Sequence, residues 1–86
     1  MKYIVLQHTE RSGNVKQTGV AFTPNLIHKD VADRVCHLLA MEEGYMAKVV
    51  GAGFIVMRDG RSTCSGRSDS LKIGSRGEED SVVFGL

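Results

Sequence analysis

The sequence predicts a small two-layer α+β domain, in which one amphipathic helix packs on a mostly antiparallel sheet of four to five strands. Two β-type segments precede the helical pattern, two more follow it, and turn residues separate them at short intervals. The element order is therefore ββαββ, and the end of the chain can add a fifth strand. At 86 residues, 42% of them apolar and 24% charged, residues 1–86 form a single domain.

The first two strands form a predicted hairpin. Residues 2–8 are β-branched and aromatic, which is typical of a strand buried on both faces. Residues 10–14 (ERSGN) carry turn chemistry. The second strand, over residues 15–23, places Val20 and Phe22 on one face.

Residues 28–43 form the one predicted helix. Asp30 or Asn25 caps its start, and Gly44 supplies its stop. Five apolar residues fall within about 120° of one another around the helix axis, which makes an amphipathic stripe. They are Ile27, Val31, Val35, Leu38 and Leu39.

The chain after the helix is again β-type. Residues 45–50 and 54–58 are predicted strands on either side of the Gly-Ala-Gly run at 51–53. That run is either a tight turn between two strands or a bulge in one long strand. The dipeptide at 59–60, Asp-Gly, predicts a second hairpin turn.

The segment 60–80 is rich in serine, glycine and arginine, a composition typical of a loop or an irregular strand. Leu71 and Ile73 stand two residues apart between small polar residues, which indicates a short strand inside it. Residues 81–86 (SVVFGL) alternate apolar side chains and predict an edge strand.

Charge and hydropathy narrow the function classes. The net charge of +1 argues against a nucleic-acid binder, which needs a strongly basic face. The longest apolar stretch, at 49–57, is too short to span a membrane, and no secretory signal is present. Two cysteines, Cys36 and Cys64, are expected to be reduced thiols in a cytoplasmic protein, the host cytoplasm if the gene belongs to a phage.

Cofactor and metal motifs are absent. The Gly-Ala-Gly run continues as a strand rather than opening a helix, so it lacks the phosphate-binding geometry of a dinucleotide fold. No C-x-x-C or H-E-x-x-H spacing occurs, and adjacent Cys36 and His37 point about 100° apart on the helix. We therefore expect no cofactor and no metal.

Catalytic groups have little support in the sequence. Asp33 and His37 are one helical turn apart, as an oriented general base would be, but Lys29–Asp33 and Asp30–Arg34 repeat that spacing. A ladder of surface pairs explains the pattern better. Cys64 has no histidine within twenty residues, so we expect no catalytic residue.

Anion binding is the chemistry with most support. Five basic residues stand against two acidic residues between positions 58 and 76, among serines and glycines whose hydroxyl and backbone N–H groups suit a phosphate or carboxylate. The plainer alternative is a mobile, water-soluble loop. The predicted contact residues are Arg58, Arg61, Ser62, Arg67, Ser68, Lys72 and Arg76.

Residues 65–80 (SGRSDSLKIGSRGEED) resemble the C-terminal part of small bacteriophage accessory proteins, in a Ser-x-Ser-Leu run followed by Ser-Arg-x-Glu. The resemblance covers about a fifth of the chain. It implies a short accessory protein of phage or mobile-element origin, and such proteins often act by occupying a host component.

Three functions follow as hypotheses. The first is a non-catalytic binding module, a dimer or higher oligomer, that inhibits or modulates a host defence protein by direct contact. The second is sequestration of an anionic small molecule such as a nucleotide by residues 58–76. The third is a small enzyme that depends on cysteine or histidine.

Overall fold

A computed structural model describes residues 1–43 and 46–85, with only the backbone described at Glu42 and Glu43. The predicted helix stop at Gly44 and the predicted strand start at Tyr45 lie outside the described residues. The α+β class is confirmed, because an antiparallel sheet carries a helix on each face. The elements are β1 (Lys2–Thr9), β2 (Val15–Phe22), α1 (His28–Glu43), β3 (Ala47–Arg58), β4 (Arg61–Ser65), β5 (Arg67–Ser68), β6 (Ile73–Gly74) and α2 (Glu78–Phe84).

The main sheet has the strand order β2-β1-β3-β4, with every pair antiparallel. β1 is central and pairs with both neighbours, as in Ile4 opposite Val20 and opposite Ala52. The four residues from Tyr3 to Leu6 are fully buried, which confirms that this strand is covered on both faces. β2 and β4 are the two edges of the sheet.

Both predicted hairpin turns are confirmed. In the first, the Glu10 N–H donates to the Asn14 carbonyl at 2.8 Å, and Gly13 takes a φ of 91°. In the second, Asp59 and Gly60 have φ of 53° and 75°, the positive pair that a tight two-residue hairpin requires. Arg58 and Arg61 face each other across this turn.

β3 is one strand of twelve residues, so the prediction of two separate strands is wrong. Its register with β1 shifts after Val5, which pairs with Gly51, whereas Leu6 pairs with Val49. Val50 is the extra residue of a β-bulge. The alternative of a bulge in one long strand is thus correct in kind, but the bulge precedes the Gly-Ala-Gly run, whose three residues pair regularly with β1.

α1 packs on the sheet face that carries Ile4 and Leu6. Its contact is centred on Ala32, the only apolar residue of the helix that is fully covered, and Val31, Val35 and Leu39 are partly buried beside it. The predicted stripe is therefore wrong at two positions, since Ile27 is 52% exposed and Leu38 is 41% exposed. The sheet meets the helix on one flank of the apolar arc and leaves the other flank uncovered.

α2 packs on the opposite sheet face, against Tyr3 and Val5. The predicted edge strand at 81–86 is wrong, because residues 78–84 are helical. The helix places Asp80 and Phe84, one turn apart, toward the sheet. Where both helices lie over the sheet, the domain therefore has three layers, α1, the sheet and α2, instead of the two that were predicted.

The segment 60–80 is more ordered than its composition predicts. It contains β4 and a separate two-stranded ribbon of β5 and β6, in which Ser68 pairs with Ile73. The short strand predicted around Leu71 and Ile73 is confirmed at Ile73–Gly74. Leu71 and Ile73 pack against the same core as α1, which holds the ribbon on that face of the sheet.

Candidate partner-binding surface

The seven predicted contact residues do not form one surface. Two of them, Ser62 and Ser68, are buried, and Lys72 is exposed with a φ of 56°. The four arginines separate into three places: Arg58 and Arg61 in the β3–β4 hairpin, Arg67 near the start of α1, and Arg76 before α2.

Arg76 is engaged within the chain. Its Nε donates to Asp80 Oδ1 at 2.7 Å and its backbone N–H donates to Oδ2 at 2.9 Å, while Nη2 donates to Gln17 Oε1 at 3.1 Å. Tyr3 completes the cluster, with its hydroxyl 2.5 Å from Asp80 Oδ2 and 2.7 Å from Ser75 Oγ. Arg76 therefore fixes α2 and is not a free contact residue.

The Asp80 carboxylate lies directly over the sheet. It is fully buried, and a Cβ at Gly51 would collide with its oxygens, so only glycine fits beneath it. Burial, and then the hydrogen bond to Asp80, raise the pKa of Tyr3 above its ordinary range, because both favour the protonated phenol. This polar cluster is structural.

Ser68 also has a structural role. Its Oγ accepts the Leu71 N–H at 3.2 Å and lies 3.3 Å from Ser70 Oγ. Ser70 Oγ in turn accepts the Lys29 N–H at 3.2 Å, so it caps the first turn of α1. The predicted caps, Asp30 and Asn25, are wrong, because the capping hydroxyl comes from the β5–β6 ribbon.

A pocket of about 330 Å³ lies between β4 and α2, and Cys64, whose thiol is buried, is one of its lining residues. Burial raises the pKa of this thiol, which disfavours the nucleophilic thiolate. No histidine lines the pocket. Its lining residues are Arg61, Ser62, Thr63, Cys64, Gly77, Glu78 and Ser81.

The remaining ionisable groups form no metal cluster within residues 1–43 and 46–85. Cys36 lies at the core edge, where burial raises its thiol pKa, and His37 is exposed. Of the three predicted i,i+4 pairs on α1, the structure records an ion pair for Lys29–Asp33 only, at 2.7 Å.

The outer side of the β3–β4 hairpin is an exposed sheet face. Along each strand, residues alternate between the buried side that meets α2 and the open side, because α1 covers β1, β2 and only the first half of β3. Phe54 and Val56 on the open side are 44% and 53% exposed. We call this surface the hairpin face; its residues are Phe54, Val56, Arg58, Arg61, Thr63 and Ser65.

Arg58 and Arg61 give the outer end of the hairpin face a positive charge. Within the part of the chain that the structure describes, neither guanidinium has a carboxylate within ion-pair distance, although Asp59 occupies the turn between them. Unpaired arginines beside exposed apolar side chains are typical of protein contact surfaces.

Phe54 connects the hairpin face to a second concave region. Its ring stands edge-on to His28, with ring centroids 6.0 Å apart, at the start of α1. A pocket of about 200 Å³ opens there, which we call the helix-start pocket. Its lining residues are Lys2, Ile27, His28, Phe54, Arg67, Asp69 and Ser70.

Sequence reasoning found the arginines of this surface but missed Phe54 and Val56. Both lie in a strand that is apolar on both faces, a pattern that predicts burial on both sides. No local signal distinguishes a strand that a helix covers from one that the helix falls short of. The exposed face depends on how far α1 extends across the sheet.

None of the described helices is long and apolar enough to cross a membrane. Comparison of the chain with known proteins finds no matching family model, no similar curated protein and no similar solved structure.

Proposed function

We propose that this protein is a non-catalytic binding module that holds a partner protein against the hairpin face and the adjoining helix-start pocket. The observation that carries the proposal is the exposed apolar pair, Phe54 and Val56, between unpaired Arg58 and Arg61 at one end and Arg67 at the other. Apolar centres with arginine-rich margins supply both contact area and directed hydrogen bonds in protein interfaces.

The charges of this surface define the partner's chemistry. Lys2, Arg58, Arg61 and Arg67 stand against two acidic residues, Asp59 and Asp69. A complementary partner presents carboxylates around one or two apolar side chains, and its association is accelerated by the opposite charge. We propose an acidic protein surface as the ligand.

The mode of action is part of the same proposal. An accessory protein of phage or mobile-element origin would act in the host cytoplasm, where its two thiols stay reduced, by covering a working surface of a host protein. A small rigid sheet face suits this role, because binding then costs little conformational freedom. The enzyme alternative has less support, since burial raises the pKa of the Cys64 thiol and no histidine lines its pocket.

The test compares what four variants capture from lysate of the host bacterium. Val56→Asp and Arg61→Glu alter the hairpin face, while Val15→Asp and Arg11→Glu make matched changes on exposed positions elsewhere. We expect the hairpin-face variants to lose about tenfold or more of a captured acidic protein that both controls retain. Equal capture by all four variants would contradict the proposal.

A second candidate function is binding of an anionic small molecule in the helix-start pocket. The observation that favours it is that the Lys2 and Arg67 cations line one pocket together with the Ser70 hydroxyl, groups that suit a phosphate. Its test is a thermal-shift panel of nucleotides on wild type, Arg67→Ala and the control Arg11→Ala. A rise in Tm that only Arg67→Ala loses supports it, and flat curves for every nucleotide contradict it.

A further inference from the structure

α1 carries an apolar stripe on the flank beside its contact with the sheet. Ile27 and Leu38, which were expected in the core, contribute to it, and Met41 near the end of the helix is 71% exposed. Val31 is half-buried and Arg34 is exposed. We call this the outer stripe; its residues are Ile27, Val31, Arg34, Leu38 and Met41.

The spacing of the outer stripe suits packing against another helix. Its members recur after four, three, four and three residues, so they stay within about 80° of one another around the helix axis. That alternation is the heptad seam by which two helices pack side by side. The sheet contact, which is centred on Ala32, shares the half-buried Val31 with this seam and leaves its other four members exposed.

A charged pair lies within this apolar surface. A largely apolar groove of about 270 Å³ lies beside Val31, and Asp30 and Arg34 are among its lining residues. The predicted Asp30–Arg34 pair does not form, and among the described residues neither group has an ion pair within 4.0 Å. The groove has apolar walls that fit the aliphatic stem of an arginine and a carboxylate that fits its head.

We propose that the outer stripe binds a second copy of this chain, with the two α1 helices antiparallel around a twofold axis. In the antiparallel heptad register Val31 faces Arg34 of the second copy, and Ile27 faces Leu38 of the second copy. Arg34 of each chain then enters the groove of the other and meets Asp30 there. The twofold axis thus forms two equivalent Arg34–Asp30 pairs and buries Ile27 and Leu38 of both copies.

The charge arrangement identifies the occupant as a second copy. Arg34 of the outer stripe and Asp30 beside it in the groove present one cation and one carboxylate four residues apart, and an antiparallel twofold brings each opposite its counterion. The inference goes beyond the proposed function, because the hairpin face lies on β3 and β4, away from the outer stripe. The residue common to the outer stripe and the adjoining helix-start pocket is Ile27. The dimer leaves Val56 and Arg61 available to a partner.

The experiment is a charge-reversal cycle on the full chain, measured by sedimentation equilibrium and native mass spectrometry. Arg34→Glu and Asp30→Arg each place like charges together across the axis, and we expect each to weaken the dimer about tenfold or more. The double variant restores both pairs, and its dissociation constant is expected within about threefold of wild type. Mixing the two single variants is expected to give a heterodimer.

The controls separate this contact from the fold and from the proposed function. Arg11→Glu makes the same charge change as Arg34→Glu in an exposed loop and is expected to leave the dimer unchanged. Met41→Glu, at a largely exposed position, is expected to dissociate the dimer without lowering Tm of the monomer. Val56→Asp and Arg61→Glu, which test the hairpin face, are expected to keep the dimer.

Three results would overturn the inference. The first is a wild-type chain that stays monomeric up to about 1 mM, which limits the association free energy to about −4 kcal/mol or weaker. The second is a dimer that neither single reversal weakens, and the third is a pair of single reversals whose loss the double variant does not recover. The last would place another occupant, such as a different protein helix, on the outer stripe.

Discussion

The two helices are attached to the sheet by different kinds of contact. α2 has seven residues, yet it buries the Asp80 carboxylate completely and sets the Phe84 ring against Gly19. α1 has sixteen residues, but among its residues up to Met41 only His28 and Ala32 are buried, and its outer flank exposes Leu38 and Met41. The shorter helix is the more tightly specified of the two.

The difference shows that contact chemistry, rather than length, decides how closely a helix is fixed. The carboxylate of Asp80 has three donors in fixed directions, so α2 fits in one position only. α1 is held by partial burial of Val31, Val35 and Leu39, a looser contact that is compatible with exposed apolar side chains on its other flank. Those exposed side chains are the ones proposed above to bind a second copy of the chain.

The largest expected effect comes from removing the centre of the α2 attachment. Asp80→Ala leaves Arg76 and the Tyr3 hydroxyl without their buried acceptor, and we expect a loss of about 3–5 kcal/mol in the free energy of unfolding. Urea denaturation measures it. Glu79→Ala, at the exposed neighbour, is expected to change stability by less than about 0.5 kcal/mol, and a similar loss in both would contradict the comparison.

A smaller loss is expected when the approach of α2 to the sheet is blocked. Gly51→Ala places a methyl group against the Asp80 carboxylate, and we expect about 1–3 kcal/mol of destabilisation. The matched control is Gly74→Ala, whose added methyl would meet its nearest atom at 3.9 Å. If the two glycine variants unfold at the same urea concentration, the close approach has no energetic role.

Alkaline pH tests the same attachment without a large substitution. Because the pKa of Tyr3 is raised in the folded state, the unfolded chain releases this proton first as pH rises through about 10. The free energy of unfolding therefore falls above that pH, by at most about 1.4 kcal/mol per pH unit from this group. Tyr3→Phe is expected to remove this contribution to the pH dependence of the free energy of unfolding, measured by urea titrations between pH 9 and pH 12. An unchanged pH dependence would show that Tyr3 is not its source.

The smallest effect concerns α1. Ser70→Ala removes the hydroxyl that caps the Lys29 N–H, and we expect a loss of about 0.5–1 kcal/mol because the helix start is partly exposed to water. Thermal unfolding measures it, with Ser12→Ala in the first hairpin loop as the control. A loss as large as that of Asp80→Ala would mean that α1 is fixed as specifically as α2.

Much of the fold follows from local patterns. The β1–β2 hairpin, α1 and the Asp59-Gly60 turn are each encoded by neighbouring residues, because turn chemistry and apolar periodicity act over a few positions. The prediction of an edge strand at 81–86 failed because Val82, Phe84 and Leu86 alternate as a strand would, while the group that selects the helix, Asp80, binds Tyr3 from 77 positions away.

Long-range contacts also limited what the sequence could predict about the candidate surface. Composition pointed to the arginines as a group, but it could not separate Arg58, Arg61 and Arg67, which remain exposed, from Arg76, which Asp80 engages. Ser68 likewise lies in a Ser/Gly/Arg-rich segment that predicts an exposed binding loop, but its side chain is buried and accepts a hydrogen bond within a turn. Long-range pairing decides which polar groups stay available.

The sequence by itself determined the α+β class, the strand buried on both faces, the long helix and the two hairpin turns, since each depends on apolar periodicity or turn residues close along the chain. Tertiary structure alone decided the sheet order, the second helix and the side of α1 that remains uncovered. Those features depend on packing between residues far apart in sequence, where the burial of Asp80 and the reach of α1 across β3 select one arrangement.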